Sequence, residues 1–322
     1  MLDVSHIPGS NDSTQIFYAN GTTSWQTWKK PRGAKFIQIF CLGGGASGGS
    51  GYRGTAGSTR AGAGGGGSGG IARALYPAFL LPDTLYVQVG VGGASAQQIA
   101  GVGITGNAGG ISYVSISPTS SALSVIAQSS TAAALGGASI ASSTTNAGGA
   151  AATIWTGGAG ASSPFTAMGL ITSSVGVAGG ISTNANTGVI VNVQALGTNI
   201  VTGGGGGGGN NQITVGSYSA TSGASIISAS LILLNNVPGG LTGSLIGAGN
   251  PGSNGYGSLS PFCGVGGSGG SGQASGSFSA GNGGNGWYGC GGGGGGAATI
   301  TTGTGGSGGK GGDGLVIITT IT

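Results

Sequence analysis

Hydrophobic positions along this chain fall into short runs of β character, and the runs end in glycine. Residues 34–42 (AKFIQIFCL), 71–78 (IARALYPA), 84–90 (TLYVQVG), 111–117 and 122–128 are rich in branched and aromatic side chains. Runs of this kind, bounded by turn residues, predict strands. Residues 34–42 are apolar on both faces apart from Lys35 and Gln38, which predicts a strand inside a two-layer structure. In 84–90, Leu85, Val87 and Val89 share one face because side chains alternate along a strand. Residues 14–19 (TQIFYA) and 22–28 flank Asn20-Gly21, a strong hairpin signal, so a hairpin is expected there. Further turns are expected at Lys29-Lys30-Pro31-Arg32-Gly33 and Leu81-Pro82-Asp83. No segment sustains a 3.6-residue period with caps, so almost no helix is expected.

A different period appears between the strands. In residues 303–314 (GTGGSGGKGGDG), Thr304, Ser307, Lys310 and Asp313 stand three apart with Gly-Gly between them, and the strand LVIITTIT follows directly. Three residues per turn with about 3.1 Å rise is the polyproline II form, which has no internal hydrogen bonds. With glycine on two of its three edges, such a rod can meet neighbours backbone to backbone. Twelve residues would span roughly 37 Å. Glycine loses more backbone freedom on ordering than any other residue, so one rod cannot stand alone and needs neighbours and a frame. A flexible Gly/Ser linker has no reason to abut a strand, yet the glycine tracts do so repeatedly. Gly308 and Gly311 are therefore expected to lie on packed edges that tolerate no side chain.

The predicted fold is all-β, a jelly-roll-like β-sandwich frame with an inserted polyglycine II rod bundle. Residues 1–13 read as an N-terminal arm, and 14–128 plus 315–322 as the frame with its glycine-rich excursions. Residues 249–314 read as the rod region. Residues 129–248 read as an Ala/Ser/Thr-rich, β-rich insertion without a single Lys, Arg, Asp or Glu. Its β signals fall at 189–196, 212–218 and 224–234, and the glycine run 203–209 returns to rod material.

Composition narrows the function. Of 322 residues, 82 are glycine and only 4% are charged, so the surface must be built from Ser, Thr, Asn, Gln and backbone. Mean hydropathy is +0.28, yet the apolar runs fall short of the about 20 residues a membrane helix needs. The start, MLDVSHIPGS, lacks the pattern of a secretory signal, so assembly in a cytoplasm is expected and the Asn-X-Ser/Thr matches at Asn11 and Asn20 carry little meaning. Cys41 sits in an apolar strand and reads as core; Cys263 and Cys290 have no metal-pair spacing but could bridge. The net charge is +4, and most of the basic residues lie between 29 and 73. Lys29, Lys30, Arg32 and Lys35 thus form either a docking patch for an acidic partner or a solvated turn.

Four groups of residues carry a family resemblance. They are Trp28, Pro31, Gly33 and Ala34; the strand into Gly43-Gly44-Gly45; the stretch 64–90 with its GGIARA and PDTLYVQVG; and GGKGGDGLVII at 308–318. Together they resemble the glycine-rich virion proteins of tailed bacteriophages, which include tail fibres and adhesins. The resemblance covers residues 22–117 and 249–322 and leaves 129–248 outside it. It implies a jelly-roll-like sandwich carrying bundled polyglycine rods, with distal loops between rods contacting the host receptor.

Groups that titrate or attack are scarce. His6 is the only histidine, and Asp3, Asp12, Asp83 and Asp313 are far apart in sequence. G-x-S-x-G matches such as those at Gly45–Gly49 and Gly66–Gly70, and a G-x-G-x-x-G at Gly101–Gly106, arise by chance in so glycine-rich a chain and precede no helix. The chain is therefore expected to be no enzyme and to need no cofactor or metal. Tyr256, Phe262, Phe278, Trp287 and Tyr288 punctuate the glycine tracts and are the candidate receptor-binding tip, or else plugs between rods. The expectation is a virion structural protein, homotrimeric, bound to other virion proteins and to a host-surface receptor, with no nucleic-acid partner. The rival reading is a capsid or tail decoration protein that cements neighbours.

Overall fold

A computed structural model describes residues 13–21, 24–53, 61–121, 124–139, 145–155, 170–183, 191–193, 201–208, 210–214, 217–220, 226–228, 248–259, 262–273, 278–298 and 303–322. Among them the regular structure is almost entirely β, with one 3₁₀ turn at Ala78–Leu80. The frame strands are β1 (Ser13–Tyr18), β2 (Gln26–Lys29), β3 (Phe36–Leu42), β4 (Ile71–Pro77), β5 (Thr84–Gln88), β6 (Tyr113–Ser115) and β7 (Val125–Gln128). Ile171–Ser174 and the closing strand Leu315–Ile321 complete it.

Two antiparallel sheets make the frame. One runs in the order β1, closing strand, β3, β4, Ile171–Ser174, and the other β2, β5, β6, β7. Ile37, Ile39 and Cys41 from the first meet Trp28, Leu85, Val87 and Val114 from the second in a single core. Leu85, Val87 and Val89 do share the buried face, as their alternation predicts. Tyr76 ties the layers by donating its hydroxyl to the Ile126 carbonyl at 2.6 Å.

The expected hairpin at Asn20-Gly21 does not form. β1 pairs with the closing strand, placing Phe17 opposite Val316, whereas β2 pairs with β5, placing Trp28 opposite Leu85. Gly21, at φ 134°, instead helps the chain cross from one sheet to the other. The two-sheet arrangement buries both Phe17 and Trp28 to 3% exposure in the shared core, and that burial overrides the local turn preference.

Extended segments that belong to no sheet leave one end of the frame. Segment 43–53 continues β3, and its hydrogen bonds have a period of three. Gly43, Ala46 and Gly49 donate to the carbonyls of Gly70, Gly67 and Gly64. Gly44, Ser47 and Ser50 donate to Gly110, Asn107 and Ile104, while Gly45, Gly48 and Gly51 donate to Gly312, Gly309 and Gly306. Carbonyls of the same segment accept from Gly93, Gly137, Gly292 and Gly295. Successive residues thus face different neighbours, all around the segment. Segments 61–70 and 290–298 are bonded in the same all-round way. The three-residue rotation read in the sequence is thus present in the bonding.

Close approach requires glycine in this bundle. A Cβ added to Gly48 would overlap the carbonyl oxygen of Gly293, and one on Gly308 that of Gly48. Most positions that do carry a side chain inside the bundle are small, such as Ala46, Ser47, Ser50 and Ser68, with the fully buried Gln273 an exception. Residues 129–248 serve both parts of the molecule. They add the frame strand Ile171–Ser174 and supply the bundle segments 132–139, 147–155, 175–181 and 201–208. Strands also occur at Val191–Val193, Asn210–Thr214, Ser217–Ala220 and Ile226–Ser228, overlapping the expected β signals.

A second apolar cluster welds frame to bundle. Leu42, Ile71 and Leu315, each at a strand end, pack with Val201 and Cys290 from the bundle. Gly289, at φ 70°, turns the chain here against the Leu42 side chain, and a Cβ would collide with it.

Candidate functional site

The molecule has two ends, and topology assigns residues to each. β3 begins beside the basic turn and finishes in the bundle, so the turn lies at the free end of the frame. Seven residues of strand separate the two by roughly 20 Å. At that free end Lys29, Arg32 and Lys35 are exposed. Lys30 is different: its Nζ donates to the carbonyls of Leu81 at 2.7 Å and Ala78 at 3.2 Å and pairs with Asp83 at 3.1 Å. It fastens the 3₁₀ turn to the basic turn and has little capacity left for a partner. Beside these cations stand Phe79, 83% exposed, with Leu80 and Phe36. An open cavity of about 510 Å³ runs between Lys29, Arg32, Phe79 and Asp83. The sequence reading found the cations but missed Phe79. Its signal is a large aromatic in a linker, between Pro77 and Pro82, that neither strand can bury.

The aromatic candidates do not gather at the far end of the bundle as expected. Trp287 and Tyr288 pack against the cluster of Leu42, Ile71 and Leu315 at the frame junction. Tyr288 packs against Tyr18 of β1 with the ring centroids 5.9 Å apart and the rings tilted by 43°, and the Trp287 ring lies where any Cβ on Gly257 or Gly264 would stand. Their role in the fold is to wedge bundle against frame. Tyr256 precedes, and Phe262 belongs to, the ladder of Gly257–Leu259 with Phe262–Gly264, which sits on this same side. The reason is chain direction: segments 248–256 and 279–288 both run toward the frame and reach it at their C-terminal ends. Only Phe278, which begins a segment, is at the far end, and it is 47% exposed.

At that far end, sequence reasoning also missed the turn at 98–102. Ile99 and Val102 bond to each other as an isolated bridge and are 66% and 49% exposed. Gln98 holds the turn by donating to the carbonyls of Gly51 and Gly101. Ala100, at φ 49°, adopts a left-handed conformation there.

Among the described residues no three His, Cys, Asp or Glu side chains come together, and His6 lies outside them. Ser47 and Ser68, from the G-x-S-x-G matches at Gly45–Gly49 and Gly66–Gly70, are buried in the bundle, and their Oγ atoms accept from the N–H groups of Asn107 and Val177. Cys41, Cys263 and Cys290 are buried free thiols. Burial pushes the Cys290 thiol up to about 12 and Cys41 further still. Among the described residues no helix is long and apolar enough to cross a membrane. Searches against known protein families and curated proteins find no match.

Proposed function

We propose that the chain is a non-enzymatic structural protein of a bacteriophage particle, a fibre, spike or tip adhesin of homotrimeric build. In this reading its bundle is polyglycine II, a rigid spacer held on a jelly-roll-like frame. One observation carries the proposal: backbone-to-backbone bonding with a three-residue period separates an exposed basic and aromatic end from an exposed apolar far end. A spacer of about 37 Å that cannot bend holds a contact surface away from its anchor. The frame end, with Lys29, Arg32, Lys35 and Phe79, then docks on an acidic virion protein. The far end, with Ile99, Val102 and Phe278, then contacts the host surface. The resemblance of residues 22–117 and 249–322 to glycine-rich virion proteins supports the same reading.

The test uses the two ends separately on whole particles. Ile99→Ser, Val102→Ser and Phe278→Ala together are expected to reduce adsorption to host cells at normal particle yield. Lys29→Ala, Arg32→Ala and Phe79→Ser together are expected to leave particles without the protein. Normal adsorption by the first variant would overturn the adhesin assignment, and a shell of copies on the capsid would replace it with a decoration role.

A further inference from the structure

We propose that the open cavity where the outer face of the four-stranded sheet meets the bundle is a binding site for a neutral saccharide. The cavity lies at the frame, so the inference does not rest on the host-contact role of the far end.

Strand alternation builds its floor. Val87 and Val114 are fully buried in the core, so their neighbours Gln88 and Tyr113, which pair across β5 and β6, point to the other face of the sheet. Trp25 directly precedes β2, and its ring meets that of Tyr113 with the centroids 6.5 Å apart and the planes tilted by 41°. Both rings are half-buried. Against this floor lies an open cavity of about 660 Å³, whose lining includes Gln88, Tyr113, Val91, Asn107, Ala108 and Ile111. That volume is in the range of small-molecule sites, which favour junctions between two parts of a molecule.

The lining selects the ligand. No Lys, Arg, Asp or Glu is part of it, so a charged ligand would give up its hydration and meet no counter-charge. The site is polar all the same. Asn107 Nδ2 donates to the Ala94 carbonyl at 2.8 Å, which fixes the amide and leaves its Oδ1 without a partner among the described residues. The Tyr113 hydroxyl likewise has none there, and burial raises its pKa, so it remains a neutral donor. Ala108 and Ile111, three residues apart, make no hydrogen bond to the described residues through either backbone group. A purely aliphatic ligand would leave all of these groups unbonded. A peptide strand is chosen through pockets for its side chains, whereas residues 90, 92, 94 and 108–110 of the walls are glycine or alanine and form smooth sides. A pyranose ring fits both demands. Its C–H face lies on the electron-rich face of an aromatic ring, and its hydroxyls, which donate and accept, meet Asn107, Tyr113 and the backbone groups.

The experiment titrates the full chain with neutral oligosaccharides of glucose, galactose, mannose and N-acetylglucosamine, followed by saturation-transfer NMR and tryptophan fluorescence. At least one is expected to bind, with the same affinity at low and high salt because no charge pair is made. Tyr113→Ala is expected to weaken that binding about tenfold or more, as truncation of a central contact aromatic does. Tyr113→Phe and Asn107→Ala are each expected to weaken it about two- to tenfold, the range of one hydrogen bond, and they carry the test if Tyr113→Ala does not fold. Absence of binding by every sugar overturns the proposal, as does wild-type affinity in both Tyr113→Phe and Asn107→Ala. Binding that falls with salt overturns the neutral assignment without any variant, and binding of a polyproline peptide but of no sugar would assign the cavity to a peptide instead. Adsorption of particles is not measured, so failure here leaves the far-end reading standing.

Discussion

In the frame the fully buried residues include Ile37, Ile39, Leu85 and Val87, and side chains meet across two sheets. In the bundle the fully buried residues are mostly glycines with small side chains such as Ala46, Ser47, Ser50 and Ser68, Gln273 being a large exception, and backbones meet instead. The apolar cluster inside the bundle consists of Ala46, Ala134 and Ala152. The frame is thus held by removal of apolar surface from water, at about 25 cal/mol per Å². The bundle is held by hydrogen bonds of about 0.5–1.5 kcal/mol net each, set against an ordering cost of about 1–2 kcal/mol per residue. On those magnitudes the bundle cannot order itself. It forms because strands such as β3 and the closing strand deliver its segments already aligned and because the Leu42, Ile71 and Leu315 cluster clamps their ends.

The largest effect should come from a side chain placed where backbones touch. Gly308→Val or Gly311→Val would overlap the carbonyl oxygens of Gly48 or Gly45, and loss of soluble folded protein is expected. Thermal melting checks it, and an unchanged melting temperature in either variant would falsify backbone packing in the bundle. Next in size, Leu85→Ala in the frame core should cost about 2–5 kcal/mol in denaturant unfolding. The bundle should fail with it. If glycine amides of segment 43–53 stayed protected after the frame had unfolded, the dependence of bundle on frame would be wrong.

A third test separates the regions by pH. Burial raises the Cys290 thiol at the junction from about 9.0 to about 12, so it stays protonated in the folded protein while the unfolded chain ionises. Its contribution is complete below about pH 9 and is lost progressively as pH rises toward 12, at about 1.4 kcal/mol per unit. Urea unfolding between pH 8 and 11 should show a decline that Cys290→Ala makes shallower. An equal slope in the variant would show that the junction thiol does not ionise on unfolding. The smallest effect belongs to an exposed side chain on the bundle: Asn285→Ala removes the acceptor for the Lys310 N–H, and because water can replace it the loss should be about 1 kcal/mol or less. A loss as large as that of Leu85→Ala would mean that these side chains hold the bundle together and do more than finish its surface.

What the sequence carried on its own was whatever depends on neighbours along the chain. Alternation placed Leu85, Val87 and Val89 on one face, and the strict spacing of Thr304, Ser307, Lys310 and Asp313 announced a backbone that turns every three residues. The basic turn was legible because Lys29, Arg32 and Lys35 cannot be buried together. The partners were not legible. A glycine tract has no side chain to say which other tract it meets, so the bonds from Gly43, Gly44 and Gly45 to three different segments were decided only by where the strands deliver their ends. The same reason explains both misplacements. Asn20-Gly21 asks locally for a hairpin, but the core needed Phe17 and Trp28 in different sheets. Trp287 and Tyr288 look in sequence like a tip, but chain direction brings them to the frame, where they pack against the cluster of Leu42, Ile71 and Leu315 and the Trp287 ring fills the space over Gly257 and Gly264.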